Sequence, residues 1–147
     1  MIDTREQAPL EFKVAGNVSK VETIGLLFGD YQGMLEDGTQ IPIAFERKSA
    51  QDLYSTLTHG HDRFKRELQR AKDAGHTLYL IIEGSLTEIL DGVGYSKVEP
   101  STLVKSLFTF KVKHGLHPVF CNDREEMVRY ILETFEAFGR NFKKVGS

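Results

Sequence analysis

Leu78-Tyr79-Leu80-Ile81-Ile82 is the segment that most limits the folds open to this chain. Five consecutive apolar residues, closed by Glu83-Gly84, read as a strand buried on both faces, because a half-solvated strand alternates apolar and polar residues. Such a strand needs one packed layer above it and another below. Helical signals supply both. Before it, Phe64, Leu68 and Ala71 recur at spacings of four and three, the apolar stripe of a helix, with Asp62 placed to cap its start and Gly75 to end it. After it, Ser85 to Leu90 reads as a short helix. Ser101 can cap a further helix with apolar positions Leu103, Val104, Leu107 and Phe108. Pro118-Val119-Phe120-Cys121 reads as a short strand. Asp123 caps a last helix carrying Met127, Val128, Ile131, Leu132, Phe135 and Phe138. This alternation of strand and helix argues an α/β fold, a layered sheet with helices on both faces.

The first half reads as strands. Residues 1–4 suit a short strand leading into a loop at Asp3, and residues 21–28 a longer one that bends at Gly29-Asp30. Asp37-Gly38 accepts the positive φ of a tight hairpin turn. Ile41 to Phe45 is then the return strand. Pro42 cannot donate to a ladder, so it belongs at the strand start or at an edge. Ser49 suits a helix N-cap with Asp52 at the third helical position, and Leu53 and Leu57 share a face of that helix.

The chain's 147 residues suit a single domain, spanning 1–147, with a core of its own. No apolar run approaches the roughly 20 residues that span a bilayer, and no secretion signal precedes the first strand. Cys121 is the single cysteine, which excludes an internal disulfide and fits a reducing compartment. The net charge of −2 is unevenly spread: residues 1–62 hold five Lys/Arg against ten Asp/Glu, and residues 63–147 hold fourteen against eleven. DNA contact therefore needs a local cationic patch rather than global charge.

The chemistry concentrates at Phe45-Glu46-Arg47-Lys48-Ser49. Alternate residues of a strand point the same way, so Glu46 and Lys48 project together. A carboxylate that can hold a cation, beside an ammonium that can orient water or offset phosphate charge, is what phosphodiester hydrolysis needs. Asp30 ends the segment before the hairpin and can converge on them, and Asp3 is a further upstream acid. Carboxylates without a histidine–cysteine cluster favour Mg²⁺ or Mn²⁺ over zinc: His59, His61, His76, His114 and His117 show no zinc spacing with Cys121. The plain alternative is a surface ion pair, since acid-x-Lys pairs are common. Asp52 also has a plain reading as a helix-start acid, and Arg5 and Glu6 as loop charges. Residues 63–72 hold five basic residues and one acid, with Arg63, Arg66 and Arg70 on a face of their own. That face is either solvated or a contact for phosphates. The last helix carries a wider apolar stripe than one core face needs, which suits a dimer interface.

Taken together, Ile2-Asp3-Thr4-Arg5-Glu6, Gly29-Asp30-Tyr31, Glu46-Arg47-Lys48-Ser49 through Asp52, and Leu80 to Gly84 resemble the nuclease domain of the XPF-type structure-specific endonucleases. That family's motif is Gly-Asp, a variable gap, Glu-Arg-Lys, three residues, Asp. The resemblance implies a restriction-endonuclease-like fold, a mixed central sheet flanked by helices. It implies cation-dependent cutting of DNA at flaps, forks and junctions, in repair or recombination, and pairing of two copies through the last helix. By position Asp30 and Glu46 are the implied metal ligands, with Asp3 close by in the acidic cluster as a third acid on the cation. Lys48 positions the attacking water, Arg47, Asp52 and Glu6 support the site, and Arg5, Arg63, Arg66 and Arg70 meet DNA.

Three features depart from the family. The gap between Asp30 and Glu46 is long and is assigned to the hairpin at Asp37-Gly38. Gly60-His61 stands where the family has Gly-Arg, so Arg63 takes that role. No helix-hairpin-helix domain follows within the 147 residues, so DNA grip falls to a second copy, a DNA-binding partner protein or the basic helix. The compact form points to a phage or prokaryotic protein, cytoplasmic or nucleoid-associated, or nuclear in a eukaryote. Two readings compete with the junction endonuclease. One is a nuclease of the wider PD-(D/E)xK fold without junction preference. The other is a non-catalytic DNA-binding subunit.

Overall fold

A computed structural model describes residues 1–3, 9–10, 12, 23–26, 28–91 and 99–142. Among them the element order is β1 (Ile2–Asp3), β2 (Thr23–Ile24), β3 (Tyr31–Met34), β4 (Gln40–Ser49), α1 (Ala50–Thr58), α2 (His61–Asp73), β5 (Thr77–Glu83), α3 (Leu86–Asp91), α4 (Pro100–His114), β6 (His117–Cys121) and α5 (Arg124–Phe142). The strands form one sheet in the order β2-β1-β3-β4-β5-β6. β3 is antiparallel to β1 and β4, whereas β4, β5 and β6 run parallel. The sheet is therefore mixed, and the layered α/β fold expected from the sequence is present.

β5 divides the core as its apolar run predicts. Leu78, Leu80 and Ile82 pack with α1–α4 through Leu53, Phe64, Leu107 and their neighbours. Ile81 and Tyr79 pack on the other side with Met127 and Ile131 of α5. Each apolar face stabilises the fold by about 25 cal/mol for every Å² it removes from water. No helix among the described residues is long and apolar enough to cross a membrane.

β4 is longer than its apolar content suggests. The run ends at Phe45, yet the ladder continues through Glu46↔Leu80, Arg47↔Ile81 and Lys48↔Ile82 to Ser49↔Glu83. The Glu-Arg-Lys segment therefore lies inside a central strand rather than beyond its end, because the backbone pairing with β5 does not depend on the side chains. Pro42 sits before pairing with β5 begins at Ile43↔Thr77, opposite the irregularity between Gln32 and Met34, where its missing N–H is no loss. The expected hairpin is closed by Leu35 N–H donating to Thr39 O at 2.8 Å, with Gly38 at φ 89°.

The caps agree with expectation in part. Ser49 Oγ accepts from Asp52 N at 3.1 Å, and Asp123 Oδ1 accepts from Glu126 N at 2.8 Å. Gly75, at φ 76°, ends α2: its N–H bonds Lys72 O at 3.0 Å and His76 N–H bonds Ala71 O at 2.8 Å. Two helix starts differ. α2 begins one residue before Asp62, behind Gly60, and α4 begins at Pro100, behind Glu99, so Ser101 is its second residue. Proline is favoured at a first helical position, since its missing N–H would be unpaired there anyway. The α4 core stripe is Leu103, Leu107 and Phe110, while Phe108 is 37% exposed. The strand expected over residues 21–28 is confined to Thr23–Ile24 among the described residues, and Phe28 and Asp30 lie in bends. Residues 92–98, which hold the glycine-rich stretch after Asp91, lie outside the described residues.

Candidate active site

Gly29 begins the site. At φ 71° it adopts a backbone that favours glycine, and a Cβ there would lie 3.1 Å from Ala44 Cβ and 3.3 Å from Phe45 O. Glycine lets the chain lie close against β4 just before Asp30. Asp30 is then locked from three sides. Its N–H donates to Phe45 O at 2.7 Å, its Oδ2 accepts from Arg47 N at 2.8 Å, and its carbonyl accepts from Asp3 N at 2.8 Å.

Glu46 and Lys48 share a face of β4, and Lys48 Nζ lies 3.3 Å from Glu46 Oε1. Their face is that of Ala44, which belongs to the α1–α4 core, so both point toward the helical layer. Glu46 is 8% exposed. From the helical side α2 delivers Glu67, whose Oε1 accepts from Gly29 N at 2.9 Å and whose carboxyl accepts the hydrogen bond that a protonated Glu46 donates. Asp30, Glu46, Glu67 and Lys48 thus form one electrostatic cluster.

Burial holds the Glu46 carboxyl well above the ordinary carboxylate range, the charges of Glu67 and Asp30 raise it further, and Lys48 only partly opposes them. Burial also works against the Lys48 ammonium. The attraction of Glu46, with Asp30 and Glu67 behind it, outweighs that and leaves Lys48 above the usual lysine value. Even with a proton on Glu46, Asp30 and Glu67 face the single Lys48 ammonium, and ionising Glu46 adds negative charge that a divalent cation relieves. Among the described residues no three Asp, Glu, His or Cys side chains are already arranged around a single ion position. The donor chemistry nevertheless fits Mg²⁺ or Mn²⁺, because Asp30 and Glu46 offer hard carboxylate oxygens.

The other sequence candidates fall in different places. Asp3 is 3% exposed, and its Oδ1 accepts from Leu26 N at 3.0 Å, so at least one of its oxygens serves the loop after β2. Arg47 contributes its backbone amide to Asp30, while its side chain points to the opposite face of β4 from Glu46. Asp52 lies exposed in the first turn of α1. Arg63, Arg66 and Arg70 are exposed on α2. Arg5 and Glu6 lie outside the described residues. Cys121 is buried, and burial together with Glu126 and Asp123 pushes its thiol up to about 11, which makes it a poor nucleophile.

Glu67 is the residue that sequence reasoning misses. Along the chain it is simply the one acid in a basic helix. Its signal lies in its position, three residues after Phe64 and one before Leu68, on the flank of the buried stripe rather than opposite it.

The cluster sits within a recognisable family span. The chain matches the model of the ERCC4 domain over residues 2–134. No curated protein matches it. Among solved structures it is similar to XPF from Aeropyrum pernix, with a TM-score of 0.65 and 20% identity over 95% of this chain and 64% of that one. It is also similar to XPF from Aeropyrum pernix in complex with DNA, with a TM-score of 0.65 and 20% identity over 98% of this chain and 66% of that one. This chain therefore spans just under two thirds of the length of those archaeal structures. The likeness in coordinates carries the fold, a mixed sheet between helical layers. The model match covers every strand, the whole acidic cluster and most of α5, and on it the chain belongs to the ERCC4 domain family.

Proposed function

We propose that this chain is a divalent-cation-dependent DNA endonuclease that hydrolyses phosphodiester bonds at flaps, forks or junctions during repair or recombination. The observation that carries the reading is the convergence of Asp30, Glu46 and Lys48 in an ERCC4 domain. Asp30 and Glu46 would hold Mg²⁺ or Mn²⁺, which supplies Lewis acidity to a bound water and to the scissile phosphate. Lys48 lies 3.3 Å from Glu46, and the acids around it favour its ammonium form, so it acts as a hydrogen-bond donor and a positive charge. Its ammonium orients the attacking water and offsets the charge that grows on the phosphate oxygens. Arg47 holds Asp30 through its amide. Asp52 supports the start of α1, and Asp3 steadies the strand beside Asp30.

The test is a panel of labelled flap, fork, four-way junction and plain duplex DNA with Mg²⁺, Mn²⁺ or chelator. Cutting of the branched substrates alone, abolished by chelator, is the expected result. Equal cutting of plain duplex would leave a general nuclease, and binding without any cutting a DNA-binding subunit.

DNA grip is assigned to Arg63, Arg66 and Arg70 on the exposed face of α2. Every duplex phosphate that a side chain neutralises adds about 0.9 to the steepness of log K against log salt. The triple alanine variant is therefore expected to bind with a slope shallower by roughly 2–3, and an unchanged slope in a salt titration would place the DNA grip elsewhere.

Two copies are assigned to pair through α5. Val128, Leu132, Phe135 and Phe138 of its apolar stripe are only half-buried, and Phe142 is 67% exposed. Sedimentation is expected to give a dimer for the wild type and a monomer for Phe142→Glu. A monomeric wild type at micromolar concentration would remove this assignment. Junction choice then falls to the second copy or to a DNA-binding partner protein.

A further inference from the structure

We infer that Glu67 is a positioning residue of this active site: it sets the separation of the Gly29–Asp30 turn and Glu46 at which a cation is held. This rests on the reading of Asp30 and Glu46 as the cation's ligands. The turn is fixed to β4 on one side, where Asp30 bonds the Phe45 carbonyl and the Arg47 amide. On its other side the fixing group is Glu67, whose Oε1 takes the Gly29 amide from 38 residues away in sequence. The same carboxyl hydrogen-bonds Glu46. One side chain therefore ties together the two strand-borne parts of the site, the turn before β3 and the middle of β4.

The placement is held by packing. Phe64, Leu68 and Ala71 are 3%, 5% and 1% exposed, which fixes the rotation of α2 about its axis and hence the direction of Glu67. Arg63 and Arg70 stand four residues before Glu67 and three after it, on the same side of the helix. A phosphate backbone lying along those arginines would press on the helix that braces the site. The role needs an acceptor for the Gly29 N–H and a group that can hydrogen-bond Glu46. Glutamine offers both, and alanine neither.

The test is calorimetric titration of Mn²⁺ into wild type, Glu67→Ala and Glu67→Gln, without DNA. Loss of a group that orients metal ligands costs roughly 10–100-fold in affinity. Glu67→Ala is expected to lose that much, and Glu67→Gln to bind within a few-fold of wild type. Wild-type affinity in Glu67→Ala would overturn the inference while leaving the cation site standing. Glu67→Gln as weak as the alanine variant would also overturn it, since the charge and not the hydrogen bonds would then matter. A flat wild-type titration would overturn the cation site itself and this role with it. If Glu67→Ala does not fold, hydrogen exchange at the Gly29 amide of the wild type decides. Protection kept at saturating Mg²⁺ supports the brace, and protection that disappears on adding Mg²⁺ overturns it.

Discussion

Glu46→Gln leaves the fold standing and removes cleavage, by roughly 10³-fold or more, equivalent to about 4 kcal/mol of transition-state stabilisation. The same variant is expected to be more stable than wild type in the absence of a cation. Burial and the neighbouring Glu67 and Asp30 raise the Glu46 pKa in the folded chain, so the folded state keeps a proton that the unfolded chain releases. That favours folding below the ordinary carboxylate range, and the advantage is lost as pH rises through the raised folded value. At pH 8 the glutamine variant therefore gains on the order of 1 kcal/mol over wild type. At pH 4 the two converge. Opposite signs for activity and stability are the signature of a functional carboxylate held where its charge is unwelcome. Thermal melts at both pH values with chelator, together with cleavage rates, check the pair. A variant that is both slower and less stable at pH 8 would mean that Glu46 serves the structure.

Phe45→Ala is expected to cost about 3–5 kcal/mol, the larger of the stability effects. Phe45 is fully buried, and its ring meets Tyr79, Tyr130 and Phe135 at centroid separations of 5.3, 6.0 and 5.6 Å in edge-on geometry. Those partners come from β5 and α5, so the ring pins β4 between its neighbour strand and the helix beneath. Truncation leaves a cavity that three aromatic side chains on two elements cannot readily fill. The midpoint of thermal unfolding should fall by roughly 10–15 °C for a chain of this size, and Phe45→Leu should lose much less. A fall of only a few degrees in the alanine variant would mean that the core closes around the gap. Because Glu46 follows Phe45 directly, the register of the site depends on the same packing.

The helical half of the fold is legible because its signals are local. The spacing of Phe64, Leu68 and Ala71, the cap at Asp123 and the five-residue run at Leu78 each report on one element and its buried face. The ends of elements are harder. β4 runs on through Glu46, Arg47 and Lys48 because β5 supplies backbone partners, and nothing in those polar residues announces a strand. Phe108 and Phe110 are the same residue type two positions apart, and only the packing of α4 against α2, where the Phe110 ring meets Phe64, decides that Phe110 is inside.

In the site, the alternation rule places Glu46 beside Lys48 correctly, since both belong to one strand. Asp30 joins them through a hairpin that the Asp37-Gly38 turn signals. Asp3 is grouped with them by its position in the chain; its backbone N–H reaches Asp30, and one oxygen of its carboxylate accepts from the Leu26 amide. Glu67 arrives from a helix 21 residues beyond Glu46 in sequence. No strand spacing could relate the two, and only the docking of α2 on the sheet brings them into contact.

Asp30 and Glu46 jointly gripping a hard cation is the premise of the whole mechanism. Anomalous scattering from crystals soaked in Mn²⁺ tests it in a single map. The predicted result is a peak at about 2–2.5 Å from carboxylate oxygens of both residues, absent from Glu46→Gln crystals treated alike. A saturating soak with no peak there, or a peak bound to other side chains, would contradict it.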